Sequence, residues 1–230
     1  MSPPSSCEVC LDRFYDLLDK LEAGLGGRRY VRDCRAGMKW PDRGVYFMFE
    51  KDEYRKFKAD RPRVTRVGKA DSSFWGRLRD HQGTVGGGGS QNVSVLRRHV
   101  GRALINASHS ESRVSARNSD VVLKGQIEGE EALKRKVTEY IGTMQLLWLS
   151  VDDGRSRAEI EENSIRLLSN EMKPIDSPTE NWLGSFSPSE RMRKSGLWNS
   201  NHVAEPCDYG FLDLLGECVE LDTTGLLSDK

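Results

Sequence analysis

Apolar residues along this chain follow two rhythms. In residues 11–25 they recur at Leu11, Phe14, Leu17, Leu18, Leu21 and Leu25, the spacing of one helical face, and Gly26-Gly27 stop the pattern. Residues 43–53, RGVYFMFEKDE, form an aromatic and branched run introduced by Pro41 and Gly44, which predicts a strand. PRVTRVG, residues 62–68, predicts a second, antiparallel strand ending at Gly68, with the charged segment 51–61 as an exposed connection. Ser72 or Ser73 then caps a helix over residues 73–81 whose apolar side is Phe74, Trp75 and Leu78. Val95, Val100 and Leu104, with Leu96, His99 and Ala103, recur at helical intervals over residues 93–105. Residues 106–120 are polar and predict a loop, residues 130–144 a helix, and QLLWLSV (145–151) a third strand closed by Asp152-Asp153-Gly154. Ile160, Ser164, Leu167 and Leu168 define a further amphipathic helix that Pro174 ends.

This order, with no internal repeat, predicts an α+β fold: a small three-stranded, mainly antiparallel sheet flanked by helices. The predicted organisation is an N-terminal helical extension (1–39), a core (40–175) carrying a loop and helix insertion (83–120), and a C-terminal extension packing on the core (176–230). The glycine run 86–89 lacks the Lys-Ser/Thr of a phosphate loop and is expected to act as a flexible loop or flap.

Charge alters the picture. The whole chain is neutral, with 35 basic and 35 acidic residues, yet residues 28–113 hold 20 Lys/Arg and 9 Asp/Glu, about +11 against −11 for the rest. Such a basic block suits a phosphate-bearing partner, with chance clustering on a solvated surface as the alternative. Mean hydropathy is −0.62, and no apolar run approaches the roughly 18 residues of a membrane span. The start, MSPPSSCEVC, has no apolar signal region. Five cysteines form an odd, sparse set, which predicts reduced thiols and a cytoplasmic protein. Cys7 and Cys10 make a lone C-x-x-C without the second pair a zinc site needs.

Gly44-Val45-Tyr46 opens one strand, Arg66-Val67-Gly68 closes the next, Arg77 and His81 lie four apart on the following helix, and Ile160–Ile165 carries a glutamate on a later one. In this order and spacing, residues 40–199 resemble the GIY-YIG nucleases, in particular a restriction-endonuclease-like branch. The resemblance implies a metal-dependent DNA endonuclease. Tyr46 would orient or deprotonate the attacking water. Its ordinary pKa of about 10 calls for cationic neighbours, here Arg66, Lys69 and Arg77. Arg77 would grip the scissile phosphate with its planar fork, and His81, one turn on, would add a second donor or shuttle a proton. Glu161 would hold one Mg²⁺ or Mn²⁺, with Glu162 as the neighbouring alternative. A late asparagine is expected at Asn199, with Asn181 as the alternative.

The same residues allow plainer roles: a core tyrosine, an Arg77 paired with Asp80 or Asp71, a His81 facing the helix C-terminal dipole, and a solvated Glu161. One position departs from the family pattern, because Arg66 stands where the second tyrosine belongs, and an arginine cannot act as a base. This keeps open a catalytically inactive, nucleic-acid-binding version of the fold. A weaker third reading is an interaction module whose acidic C-terminal part recruits a protein. Arg97, Arg98 and Arg102 are expected to track a nucleic-acid backbone irrespective of sequence. A restriction-type role would favour a homodimer, one site per strand.

Overall fold

The computed structural model describes residues 6–83, 94–117, 129–172 and 174–224. In chain order the elements begin with α1 (Ser6–Leu25), the two-residue strand β1 (Arg29–Tyr30), a 3-10 turn at Val31–Asp33, and the hairpin strands β2 (Gly44–Arg55) and β3 (Lys58–Ala70). They continue with α2 (Phe74–Gln82), α3 (Val95–Arg117), α4 (Glu130–Gly142), β4 (Gln145–Ser150) and α5 (Gly154–Leu168). A 3-10 turn at Leu183–Phe186 precedes α6 (Glu190–Ser195) and α7 (Phe211–Thr223). The sheet order is β1-β4-β2-β3 with every pairing antiparallel. It has four strands rather than the three expected, since Arg29 and Tyr30 add a short ladder to β4.

Side-chain alternation divides the sheet into two faces. Val45, Phe47, Phe49, Val67, Leu147 and Leu149 point to one core, covered by α1, α5 and α7. Tyr46, Met48, Ala70, Leu146 and Trp148 point to the other, covered by α2, α3 and α4. The helices at the chain's two ends, α1 and α7, pack on each other and on β4.

Three expectations change. Residues 51–61 are not a loose connection: β2 and β3 run through them and leave only Lys56-Phe57 as the turn. Their polarity reflects a ladder that extends past the apolar core, with most side chains exposed and Glu53 and Arg55 buried in ion pairs, not an absence of strand. Residues 106–117, expected as loop, continue α3 to Arg117. The glycine run 86–89 lies outside the described residues.

A bulge positions the site. Met48 pairs with Arg66 and Phe49 with Val64, so Thr65 is the extra residue. Without it Arg66 would face the α1/α5/α7 core and Val67 the other. With it Val67 is buried in that core and Arg66 turns to the face of Tyr46.

Candidate active site

β3 is an edge strand, so elements from both faces can converge at its end. α5 reaches it from one face and α2 from the other. Each helix starts there with a side-chain cap. The Ser73 hydroxyl accepts from the Gly76 amide, and the Asp153 carboxylate accepts from that of Ser156. Between them opens a cleft of about 510 Å³ lined by Lys69, Asp71, Ser73, Arg77, Asp80 and Glu161, among others.

Arg77 half-faces this cleft. It forms no ion pair among the described residues, and its Nε is buried without a partner. The pairing with Asp71 does not form, because Asp71 binds Nε of the buried Arg157 at 2.9 Å. Glu161 enters from α5 and holds Lys69 Nζ at 2.8 Å. Burial opposes the Lys69 charge, but the hydrogen bond and charge of Glu161 outweigh it and push the ammonium pKa up. Glu162 points elsewhere, to Arg166 at 3.1 Å. Of the two neighbouring carboxylates, Glu161 is therefore the one in the cleft.

Tyr46 lies just behind. It pairs across the ladder with Gly68, and its phenol rests on that glycine where any Cβ would overlap the ring. Its Oη is 2.6 Å from His81 Nε2. His81 Nδ1 is 2.8 Å from Ser94 Oγ, which also accepts from the Arg97 amide at 3.3 Å and so caps α3. His81 is fully buried, which corrects its expected role as a second phosphate donor beside Arg77: both ring nitrogens are spent inside the protein. Burial first, then the charges of Arg66, Arg77 and Arg97, hold its pKa well below the ordinary value, so the ring is neutral near pH 7. In the tautomer with the proton on Nδ1, His81 donates to Ser94 and accepts the phenol proton at Nε2, which leaves the Tyr46 lone pairs for another donor.

The remaining expected residues are less uniformly placed. Arg66 is buried and donates from Nη1 to the Trp198 carbonyl at 2.6 Å. Asn199 is buried at the free edge of β3, where its amide donates to the Val67 carbonyl at 2.8 Å and accepts from the Val67 amide at 3.1 Å. It braces the strand one residue before Gly68. Asn181 is exposed and lines a different, smaller cavity near Trp182. Arg97 requires correction. It is wholly buried and donates to the carbonyls of His81 and Gln82 and to Thr138 Oγ1, so it bolts α2 to α3 and α4 instead of tracking a backbone. Arg98 is half-buried and Arg102 exposed.

Two features were missed. Ser94 carried a helix-start signal, but nothing in the sequence joins it to His81. Glu50 is half-buried and accepts from the Trp182 and Trp198 indoles and the Tyr140 hydroxyl. Burial pushes its pKa up against those donors.

The profile of the GIY-YIG domain matches residues 6–224. The chain belongs to the GIY-YIG family. No curated protein and no solved structure matches it. The GIY-YIG domain is a nuclease domain, so membership indicates phosphodiester hydrolysis as the class of activity, and GIY-YIG nucleases typically depend on a divalent metal. No helix among the described residues is long and apolar enough to cross a membrane.

Among the described residues no cluster of three or more His, Cys, Asp or Glu side chains stands ready to enclose a metal. Three carboxylates line the cleft without clustering: Asp71 is engaged by Arg157, Asp80 stands on α2, and Glu161 has one oxygen on Lys69 and an open volume beside it. That donor set fits a hard cation that keeps most of its water, as Mg²⁺ does, and does not fit a dedicated protein cage.

Proposed function

We propose that this protein is a divalent-metal-dependent DNA endonuclease that hydrolyses phosphodiester bonds at the end of β3. The observation that carries this reading is the buried Tyr46–His81 pair, 2.6 Å apart, set directly behind a cleft shared by Arg77, Lys69 and Glu161. As a water attacks phosphorus, the Tyr46 oxygen takes that water's proton and passes its own to His81 Nε2, so the phenol ends neutral and the imidazole ends protonated. Arg77, free of carboxylates among the described residues, takes the non-bridging oxygens of the phosphate as negative charge builds on them. Lys69 adds a second positive charge at the cleft, and Glu161 would hold Mg²⁺ or Mn²⁺. A cation bound there supplies charge to neutralise the phosphorane and the departing oxygen. Asn199 acts through β3, keeping Gly68 and hence the phenol in position.

A restriction-type role fits this chemistry, and cutting both strands would take two copies of the chain. The five cysteines are all unpaired, which supports a reducing, cytoplasmic setting. A second reading, a binding protein without catalysis, draws on Arg66 replacing the family's second tyrosine and on the near-complete burial of Tyr46.

The test is incubation of supercoiled plasmid DNA with the purified protein and Mg²⁺ or Mn²⁺, beside the Tyr46→Phe and Glu161→Gln variants. Nicking or linearisation by the parent protein that both variants lose is the expected result. Equal cleavage by all three proteins refutes the site, and duplex binding without cleavage under any divalent ion selects the second reading.

A further inference from the structure

Several arginines on the α1/α5/α7 side sit on carboxylates: Arg55 on Asp12 and Asp176, Arg61 on Asp16 and Asp19, Arg157 on Asp71, Arg166 on Glu162 and Glu205. On the α2/α3 side, Arg66, Arg77, Arg98 and Arg102 form no ion pair with any described residue. Unpartnered donors gather on the same side. Of the eight buried side-chain nitrogens and oxygens without a hydrogen-bond partner among the described residues, five belong to Arg66, Arg77, Arg97, Arg98 and His99.

Arg66 is the most constrained of these. It is only 6% exposed, and the Thr65 bulge turns it toward the face of Tyr46. One bond from Nη1 to the Trp198 carbonyl fixes the guanidinium, while its Nε is buried with no partner. A buried guanidinium lacking a counter-ion is destabilising unless something else supplies the negative charge. Its surroundings are basic. Arg66 is close enough to His81 and to His99 for its charge to act on both rings, and Arg98 and Arg102 act on His99 as well. Arg98 and Arg102 lie one turn apart on α3, and the Arg98 Nε and His99 Nδ1 are themselves buried and unpartnered.

We propose that Arg66, together with Arg98 and Arg102 of α3, forms a second phosphate site that holds the DNA backbone beside the phosphate engaged by Arg77. The inference rests on the proposed DNA substrate. It gives the position where the family's second tyrosine is absent a binding role: the planar fork of Arg66 takes non-bridging oxygens of a neighbouring phosphate, and Arg102, at the surface, extends the track. The contacts are to the backbone, so they add affinity without base preference.

The experiment measures equilibrium binding of a fluorescent duplex of about 20 base pairs, with a chelator present so that nothing is cut, over a range of salt concentrations. Arg66→Gln and Arg102→Gln are each expected to lower affinity on the order of tenfold near 0.1 M salt and to shallow the slope of log K against log salt by about 0.9. Arg13→Gln, which removes an exposed arginine paired with Asp213, should change neither. If Arg66→Gln melts early, the exposed Arg102→Gln decides. Unchanged affinity and slope in Arg102→Gln and in folded Arg66→Gln, or no duplex binding by the parent protein, overturn the second site. Slope losses in a protein that cuts nothing with any divalent ion leave this site standing and remove the nuclease reading; plasmid cleavage with unchanged slopes does the reverse.

Discussion

The Tyr46 Oη and His81 Nε2 lie 2.6 Å apart, the ring edge to face with the phenol and both side chains closed to solvent. One strand residue and one helix residue, 35 positions apart, are thus joined by a hydrogen bond. If they act as a unit in cleavage, losing either should cost nearly as much as losing both. His81→Phe and Tyr46→Phe are each expected to lower the single-turnover cleavage rate about 100-fold or more, and the double variant little further. Duplex affinity should hold in all three. Single losses that multiply in the double variant would mean that the two groups act separately.

The neutral state of His81 has a consequence for stability. Its native pKa is held well below the ordinary value, and that of His99 is pushed down to about 4 by burial and then by Arg66, Arg102 and Arg98. In the unfolded chain both titrate near about 6.5. Between that value and the lowered native ones the unfolded state binds more protons, so stability falls as pH drops, by at most about 1.4 kcal/mol per unit for each group. Glu50, raised by burial, acts with the opposite sign just above the ordinary carboxylate range. The comparison of parent and His99→Gln isolates one contribution. Denaturant melts from pH 7 to pH 4 should converge or cross as the parent loses its advantage, whereas a constant gap would place His99 outside this linkage.

Much of this fold was legible because the buried strands are aromatic and β-branched. The hairpin arms over residues 51–61 are not, because most of their side chains face solvent beyond the apolar core and the buried ones, Glu53 and Arg55, are charged, so the run reads as a polar loop. His81 shows the same confusion at one residue. Its i,i+4 relation to Arg77 suggested a shared phosphate, yet Phe74, Leu78 and His81 form the buried stripe of α2. That stripe was present in the sequence, at intervals of four and three. Arg97 was unreadable for another reason: on α3 it sits among Leu96, Val100 and Ala103, and only the tertiary carbonyls it reaches explain its burial. The contact between Asn199 and Val67 spans 132 residues and has no local signature.

Lys69 competes with any cation for Glu161, since its ammonium lies 2.8 Å from the carboxylate. Removing that charge should make the carboxylate more available. In Lys69→Gln the Mg²⁺ concentration for half-maximal cleavage is expected to fall several-fold, even where the maximal rate drops through loss of a positive charge at the cleft. Glu161→Gln should abolish metal-stimulated cleavage. A Mg²⁺ requirement identical in the parent and Lys69→Gln proteins would place the cation away from Glu161.

Gly68 tests the position of the phenol directly. A Cβ there would overlap Tyr46 Oη, Cζ and Cε2, so Gly68→Ala must displace the ring or the strand. Neither moves freely: Val67 is clamped by Asn199, and the phenol is held by His81. The expected cost is about 1–3 kcal/mol, the usual range for overpacking, or roughly 2–12 °C in Tm for a chain of this size. Cleavage should fall further than stability explains, because the Tyr46 oxygen leaves the line between His81 and the cleft. Gly37→Ala is the control, since a Cβ at Gly37 meets nothing within 4 Å. Activity near the parent level in a folded Gly68→Ala protein would show that chemistry does not depend on where this phenol lies.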